Sequence, residues 1–150
     1  MLKASGIKVD EKLIYQVNNN IEGGYIGMKK VIGRLPKKPD AVFASSDEIA
    51  YGAMDALKEM KLRVPEDIAV AGFGNDRMSS LMEPKVTTVE LPYRKMGIYG
   101  ARMLFDQIEE KEAKKDPKTE KRRRAKKIQL QTKIRIRKSC GHRERIGEMF

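Results

Sequence analysis

Four short polar clusters hold most of the side chains able to grip a small molecule: Asn18-Asn19-Asn20, Ser45-Ser46-Asp47, Gly74-Asn75-Asp76 and the stretch from Glu90 to Tyr93. Taken singly, Asn, Ser, Asp and Gly are what loops and helix caps are made of. Here each cluster directly follows a run that reads as a β-strand. Amide, hydroxyl and carboxylate groups gathered at neighbouring strand ends supply donors and acceptors together, which suits a polyhydroxylated molecule such as a sugar. Phe73 or Tyr93 could add an aromatic face.

Bond-making chemistry has far less to draw on. Gly72-Phe73-Gly74 begins like a dinucleotide loop, but Asn75-Asp76-Arg77 follows where a third glycine and a helix are needed. Cys140 and His142 offer two potential metal ligands, too few for a zinc site by themselves. His142 is the only histidine, so a Ser–His or Cys–His nucleophile has no base within the fold, and neither a Walker loop nor a G-x-S-x-G elbow occurs. Asp47-Glu48 and Glu66-Asp67 read as helix-start and turn residues. The sequence therefore points to a non-enzymatic protein with no catalytic residues, no metal and no cofactor.

The elements that must position the polar clusters follow from hydrophobic spacing. Residues 13–17 predict a strand, and 22–35 a helix with Tyr25, Met28, Val31 and Ile32 on its apolar side. Residues 41–44 predict a second strand; Ser46 then caps a helix carrying Ile49, Ala53 and Leu57 on one face. The unbroken apolar run 68–73 is of the kind covered by helices on both faces of a parallel sheet. A fourth strand is predicted at 86–90 and a helix over 92–110, with Pro92 at its start, where a missing N–H is harmless. Ile128, Leu130, Thr132, Ile134 and Ile136 alternate with polar residues, predicting a strand with one buried and one wet face. Strand–helix alternation of this length implies an α/β fold, an open parallel sheet with helices on both faces, and ligands beyond the carboxyl ends of its strands.

Of 150 residues, 32 are Lys or Arg and 21 Asp or Glu, a formal charge of +11. Residues 1–110 hold 16 of each sign, so the excess lies in the last 40 residues. Residues 111–127 carry ten basic and three acidic side chains, with Ala113 and Ala125 the only apolar ones. Such a segment reads as a solvated basic linker. Its nucleic-acid reading would rest on Arg122, Arg123 and Arg124, but no aromatic is interleaved for base stacking. One cysteine, Cys140, fits a reducing compartment, and neither an export signal nor a membrane span is visible, so a cytoplasmic location is expected.

Three ordered blocks, KPDAVFASSDEIAYGAMDALKEMKLRVPEDIAVAGFGND, EPKVTTVELPYRKMGIYGARML and IQLQTKIRIRKSC, resemble the effector-binding domain of lactose-repressor-type (LacI/GalR) bacterial transcription regulators, and the resemblance runs from residue 1 to about Cys140. It implies a periplasmic-binding-protein-like architecture of two subdomains with a small-molecule effector, a sugar or related metabolite, in the cleft between them. It also implies a homodimer that binds DNA through a helix-turn-helix headpiece outside this chain, with no membrane partner. The effector would shift the population between DNA-competent and incompetent states.

On this resemblance residues 1–91 are the second subdomain, 92–110 a helix that packs on the first, 111–127 the linker, 128–140 a returning strand and 141–150 a tail. By position, Asn19 stands where several relatives place an aromatic ring over the ligand, and Ser46 with Asp47 replaces an Asn-Asp pair. Gly74 stands where a ligand-binding aspartate is common, Leu91 where a glutamine is, and Tyr93 matches a cleft aromatic. Asn75 completes the expected ligand-binding set, and Tyr51 and Met82 fall at the implied dimer surface. The other readings are a sugar-binding protein of the periplasmic type, or a remnant with nucleic-acid affinity through its basic segment.

The helix 92–110 is apolar nearly all round, with Met96, Tyr99 and Met103 on one side and Ile98, Leu104, Phe105 and Ile108 around the rest. Leaving three or four such side chains in water forfeits about 1.5–3 kcal/mol each. The chain is expected either to self-associate or to fold this helix against its own core. Sedimentation velocity checks the first: an average mass rising with concentration is expected, and an ideal monomer with the helix free in solvent would contradict the reading.

Overall fold

The computed structural model describes residues 5–6, 8–113 and 126–142. The chain divides into two compact units, residues 1–90 with 134–150, and residues 91–133. The basic stretch holding Arg122, Arg123 and Arg124 lies outside the described residues.

In the first unit, α1 (Ile21–Arg34) starts where the Asn20 side chain accepts the Gly23 N–H at 2.7 Å. This satisfies one of the donors that a helix start leaves without an internal partner. After β1 (Ala41–Phe43), α2 (Asp47–Glu59) begins in the same way, with Ser46 Oγ accepting the Ile49 N–H. β2 (Ala69–Gly74) and β3 (Thr87–Glu90) follow, and both β1 with β2 and β2 with β3 pair in parallel. β4 (Lys133–Arg135) completes a four-stranded sheet in the order β1-β2-β3-β4. The open α/β architecture expected from strand–helix alternation is what the chain adopts.

Burial centres on α2. Ala50, Ala56 and Leu57 are fully buried, as are Ile68 before β2, Val70 within it and Val86 before β3. The two helices cross through glycines. A Cβ on Gly24 would strike the Ile49 backbone, and one on Gly52 would strike the Ile21 carbonyl and the Tyr25 amide. Backbone cannot swing aside as a side-chain tip can, so this approach is open only to glycine. Tyr25, Lys29 and Glu59 join across the same pair of helices, Lys29 Nζ lying 2.9 Å from Glu59 Oε1.

Three expectations are corrected. Residues 13–17 are no strand: a 3-10 turn at Glu11–Leu13 leads into an irregular segment that pairs with no described strand. Strand-like sequence needs a neighbour to complete its ladder, and the adjacent edge of β1 is not reached. The last predicted strand shrinks to β4, and its apolar positions are not buried: Ile128, Ile134 and Ile136 are all exposed, because no described element covers that face. The helix expected to end at Glu110 runs through Ala113, since Lys, Glu and Ala prolong a helix readily.

The second unit is built on α3 (Tyr93–Ala113). Leu104 and Phe105 are 58% and 63% exposed, so this helix presents large apolar side chains to solvent. No helix among the described residues is long and apolar enough to cross a membrane.

Gly52→Ala discriminates the crossing from ordinary helix behaviour. Alanine in a helix interior normally stabilises by about 0.5–1 kcal/mol over glycine. Here the sign is expected to reverse, with a loss of about 1–3 kcal/mol or more from overpacking, read as a lower urea midpoint. A raised midpoint would contradict the backbone contact.

Candidate functional site

The polar clusters after β1 and β2 are connected to each other, and the connection starts with the capping of α2. Ser46 Oγ, besides accepting from Ile49, donates to Asn19 Oδ1 at 2.6 Å, which draws the 18–20 loop onto the end of β1. Asn19 is exposed, while Ser46 is half-buried. Asp47, the first residue of α2, is only 2% exposed. Its Oδ1 accepts from Thr88 Oγ1 at 2.6 Å and its Oδ2 from the Asp76 N–H at 2.7 Å. A Cβ on Gly72 would collide with this carboxylate, so the bare backbone of β2 makes room for it.

Thr88 passes the connection on, because its Oγ1 also accepts the Asn75 N–H at 3.2 Å. Asn75 Oδ1 in turn accepts from Arg137 Nη2 at 2.7 Å, and Arg137 Nη1 donates to the Val86 carbonyl at 2.7 Å and to Ser79 Oγ at 3.0 Å. The segment just past β4 is fastened by further polar contacts. Arg137 N–H donates to Thr87 Oγ1 at 2.8 Å, and fully buried Ser139 accepts the Thr87 N–H at 2.8 Å and donates to the Val70 carbonyl at 2.6 Å. One hydrogen-bonded path thus runs from the Asp76 amide through Asp47, Thr88 and Asn75 to Arg137, and the Asn19–Ser46 pair adjoins it through the chain.

The expected ligand residues are placed as follows. Asn19 and Ser46 meet beyond the carboxyl end of β1 and Asn75 stands just beyond that of β2, with Asn19 and Asp76 exposed and Asn75 half-buried. Asp47 belongs to the floor, its carboxylate committed to Thr88 and Asp76. Gly74 has φ +130° and Asn75 φ +56°, so the chain turns sharply at the strand end, and Gly74 contributes a conformation that other residues rarely adopt. Tyr93 is 60% exposed at the start of α3 in the second unit. Glu90 is paired with Arg135.

The two residues expected at a dimer surface separate. Met82 is half-buried beside exposed Leu81, whereas Tyr51 is 2% exposed and lies in the core, leaving almost no surface for a second copy. The Tyr51 hydroxyl has no hydrogen-bond partner of good geometry among the described residues. Burial pushes its pKa far above the ordinary phenol value, with the Asp47 and Asp76 charges adding to the effect. It stays a neutral phenol at any physiological pH.

Thr88, Arg137 and Ser139 were not expected from the sequence. These partners lie 13 to 69 positions away along the chain, so no local spacing marks them. A hollow of about 960 Å³ between residues 11–18 and α1, lined by charged groups such as Lys30 and Arg34, lies apart from Ser46, Asp47 and Asn75. No group of three or more His, Cys, Asp or Glu side chains able to hold a metal ion occurs among the described residues.

A family model described as a periplasmic binding protein-like domain matches residues 1–140. The HTH-type transcriptional regulator RegA of Clostridium saccharobutylicum is 38% identical over 111 residues, covering 74% of this chain and 33% of that protein. Among solved structures, the complex of the transcriptional regulator CelR with cellobiose superposes with a TM-score of 0.75 at 31% identity, covering 92% of this chain and 39% of that one. A LacI family transcriptional regulator from Enterococcus faecium with bound ribose superposes with a TM-score of 0.71 at 25% identity, covering 92% and 47%. The chain therefore spans about a third of the length of the curated relatives it matches.

Asp47→Asn tests the floor. An amide oxygen can accept from Thr88 or from the Asp76 N–H, but the NH₂ then faces a donor and leaves one bond unmade. A loss of about 1–3 kcal/mol in urea unfolding with an unchanged m-value is expected; an unchanged midpoint would show that the carboxylate ties nothing together.

Proposed function

The chain belongs to the periplasmic binding protein-like domain family, with relatives named as HTH-type and LacI family transcriptional regulators, and from that premise we propose that it senses a sugar at the polar ends of β1 and β2. The observation that carries this reading is the rim itself. Asn19, Ser46 and Asn75, from three different loops, are drawn to one edge of a parallel sheet and set on a floor of hydrogen-bonded Asp47 and Thr88. Amide and hydroxyl groups held in fixed positions match the alternating donors and acceptors of vicinal sugar hydroxyls. Ligands at the carboxyl ends of parallel strands are the general pattern for open α/β sheets.

The ribose and cellobiose carried by two structural neighbours support the same ligand class. The role is binding without turnover: the effector changes which conformations are populated and so the DNA affinity of a headpiece outside this chain. Met82, with Leu81 beside it, is the surface at which a second copy would meet this one. Asn19 contributes contact, Ser46 orients Asn19, and Gly74 with Asn75 presents backbone and amide groups.

Thermal unfolding in the presence of ribose, cellobiose or sucrose tests the reading. A ligand at about 100 times its Kd adds about 2.7 kcal/mol to the stability of the state that binds it, which corresponds to a rise of roughly 5 °C or more. At least one of the three is expected to raise Tm in this way. Asn19→Ala should reduce the rise while leaving the unliganded Tm within a degree or so, because Asn19 is exposed and its side chain makes a single hydrogen bond. No rise with any sugar would overturn the proposal.

A further inference from the structure

Arg137 determines which way round the Asn75 side chain sits. Asn75 Oδ1 accepts from Arg137 Nη2 at 2.7 Å, and a guanidinium has N–H donors but no acceptor, so the carbonyl oxygen must be the end that faces it. Turning the amide over would set NH₂ against N–H and leave both without an acceptor. The guanidinium is itself held in place. Its Nη1 donates to the Val86 carbonyl at 2.7 Å and to Ser79 Oγ at 3.0 Å, while the Arg137 backbone N–H is fixed on Thr87 Oγ1 at 2.8 Å. Asn75 has also spent its backbone N–H, on Thr88 Oγ1 at 3.2 Å. What it has left is the NH₂, which meets no acceptor among the described residues.

The same bias runs across the rim and its floor. Asn19 Oδ1 accepts the Ser46 hydroxyl, Ser46 Oγ accepts from Ile49, the Asp47 oxygens are taken by Thr88 and the Asp76 N–H, and Thr88 Oγ1 lies between Asp47 and Asn75. Each of these side-chain oxygens has a partner, whereas the NH₂ groups of Asn19 and Asn75 have none among the described residues. An occupant therefore meets amide donors. A hydroxyl can accept from such a donor, but its own hydrogen then needs a further acceptor, and burying it without one weakens binding. A carbonyl or carboxylate oxygen brings lone pairs and no hydrogen. Charge does not choose between those two, because Arg137 brings a cation to Asn75 and the neighbouring Asp76, whose Oδ1 accepts the Met78 N–H at 2.9 Å, brings an anion.

We propose that Arg137 is a positioning residue that holds the Asn75 amide with its NH₂ available to the occupant, and that the rim consequently selects a sugar bearing an oxygen without a hydrogen, a carboxylate or an N-acetyl carbonyl, over the all-hydroxyl parent sugar. This inference rests on the sugar-sensing reading of the strand ends and adds to it the class of group that is read. Arg137 touches no ligand in this account; it acts through Asn75.

Calorimetric titration of the whole chain with D-glucose, D-glucuronate and N-acetyl-D-glucosamine tests the selection, since the last two exchange one group of glucose for a carboxylate or an N-acetyl group. At least one of them is expected to bind about tenfold more tightly than glucose, roughly the worth of one well-made hydrogen bond. Which one does so tells the anionic source of the oxygen from the neutral one. Asn75→Asp keeps a partner for Arg137 and suits the backbone there, whose φ of +56° aspartate tolerates as asparagine does, but it presents lone pairs in place of donors. The preference over glucose is expected to vanish in Asn75→Asp and also in Asn75→Ala, which adds no charge. The role of Arg137 is read without any sugar, by urea unfolding: Asn75→Asp should lower the midpoint less in the chain that keeps Arg137 than in the Arg137→Met chain, because the guanidinium pairs with the new carboxylate. Equal losses in the two backgrounds would overturn the positioning role. A preference that is absent, or that survives both Asn75 substitutions, would overturn the selection while leaving the sugar reading intact if ribose or cellobiose still raises Tm; no response to any sugar would overturn both.

Discussion

The carboxylate of Asp47 holds the candidate site together. It sits at the start of α2, directly beyond β1, and reaches Thr88 in β3 with one oxygen and the Asp76 amide beyond β2 with the other. Removing a carboxylate from water is costly unless donors replace the lost hydration. The burial of Asp47 at 2% exposure therefore fixes the ends of three strands relative to one another. Two consequences follow from that one constraint. Gly72 must remain without a side chain, and the turn through Gly74 and Asn75 must take positive φ values to bring the Asp76 amide into reach. The rim of exposed Asn19 and half-buried Ser46 and Asn75 adjoins this floor.

Much of the fold was legible because its signals are local. Ser46 ahead of Asp47-Glu48 marked a helix start, the run from Ile68 marked the central strand, and strand–helix alternation gave the parallel sheet. Of the candidate site, Ser46 and Asn75 were legible as strand-end residues, whereas Asn19 was read that way and no strand precedes it. The part that was not legible is long-range. Arg137 read as one more basic residue on a wet strand face, yet it bonds to Asn75, Ser79 and Val86, 51 to 62 positions away. Tyr51 read as a surface residue by position and is a core residue by packing. Residues 13–17 have the composition of a strand but no adjoining strand to pair with, and a strand is a property of a pair. The glycines at 24 and 52, which the sequence did not single out, are the reason two helices can touch.

Large exposed apolar side chains among the described residues include Phe43 on β1 and Leu104 and Phe105 on α3. None is explained by the polar rim, which is satisfied internally along its floor. The polar rim and these exposed apolar side chains are thus separate in chemistry.

The most direct test of the site is the amide NMR spectrum of the chain titrated with ribose. Saturable shifts concentrated at Asn18 to Asn20, Ser45 to Asp47 and Gly74 to Asp76 are the expected result, because these loops carry the hydrogen-bonding groups beyond β1 and β2. Shifts that are absent, that fail to saturate, or that cluster along residues 11–17 and α1 instead would contradict the assignment of the strand ends as the sensing surface.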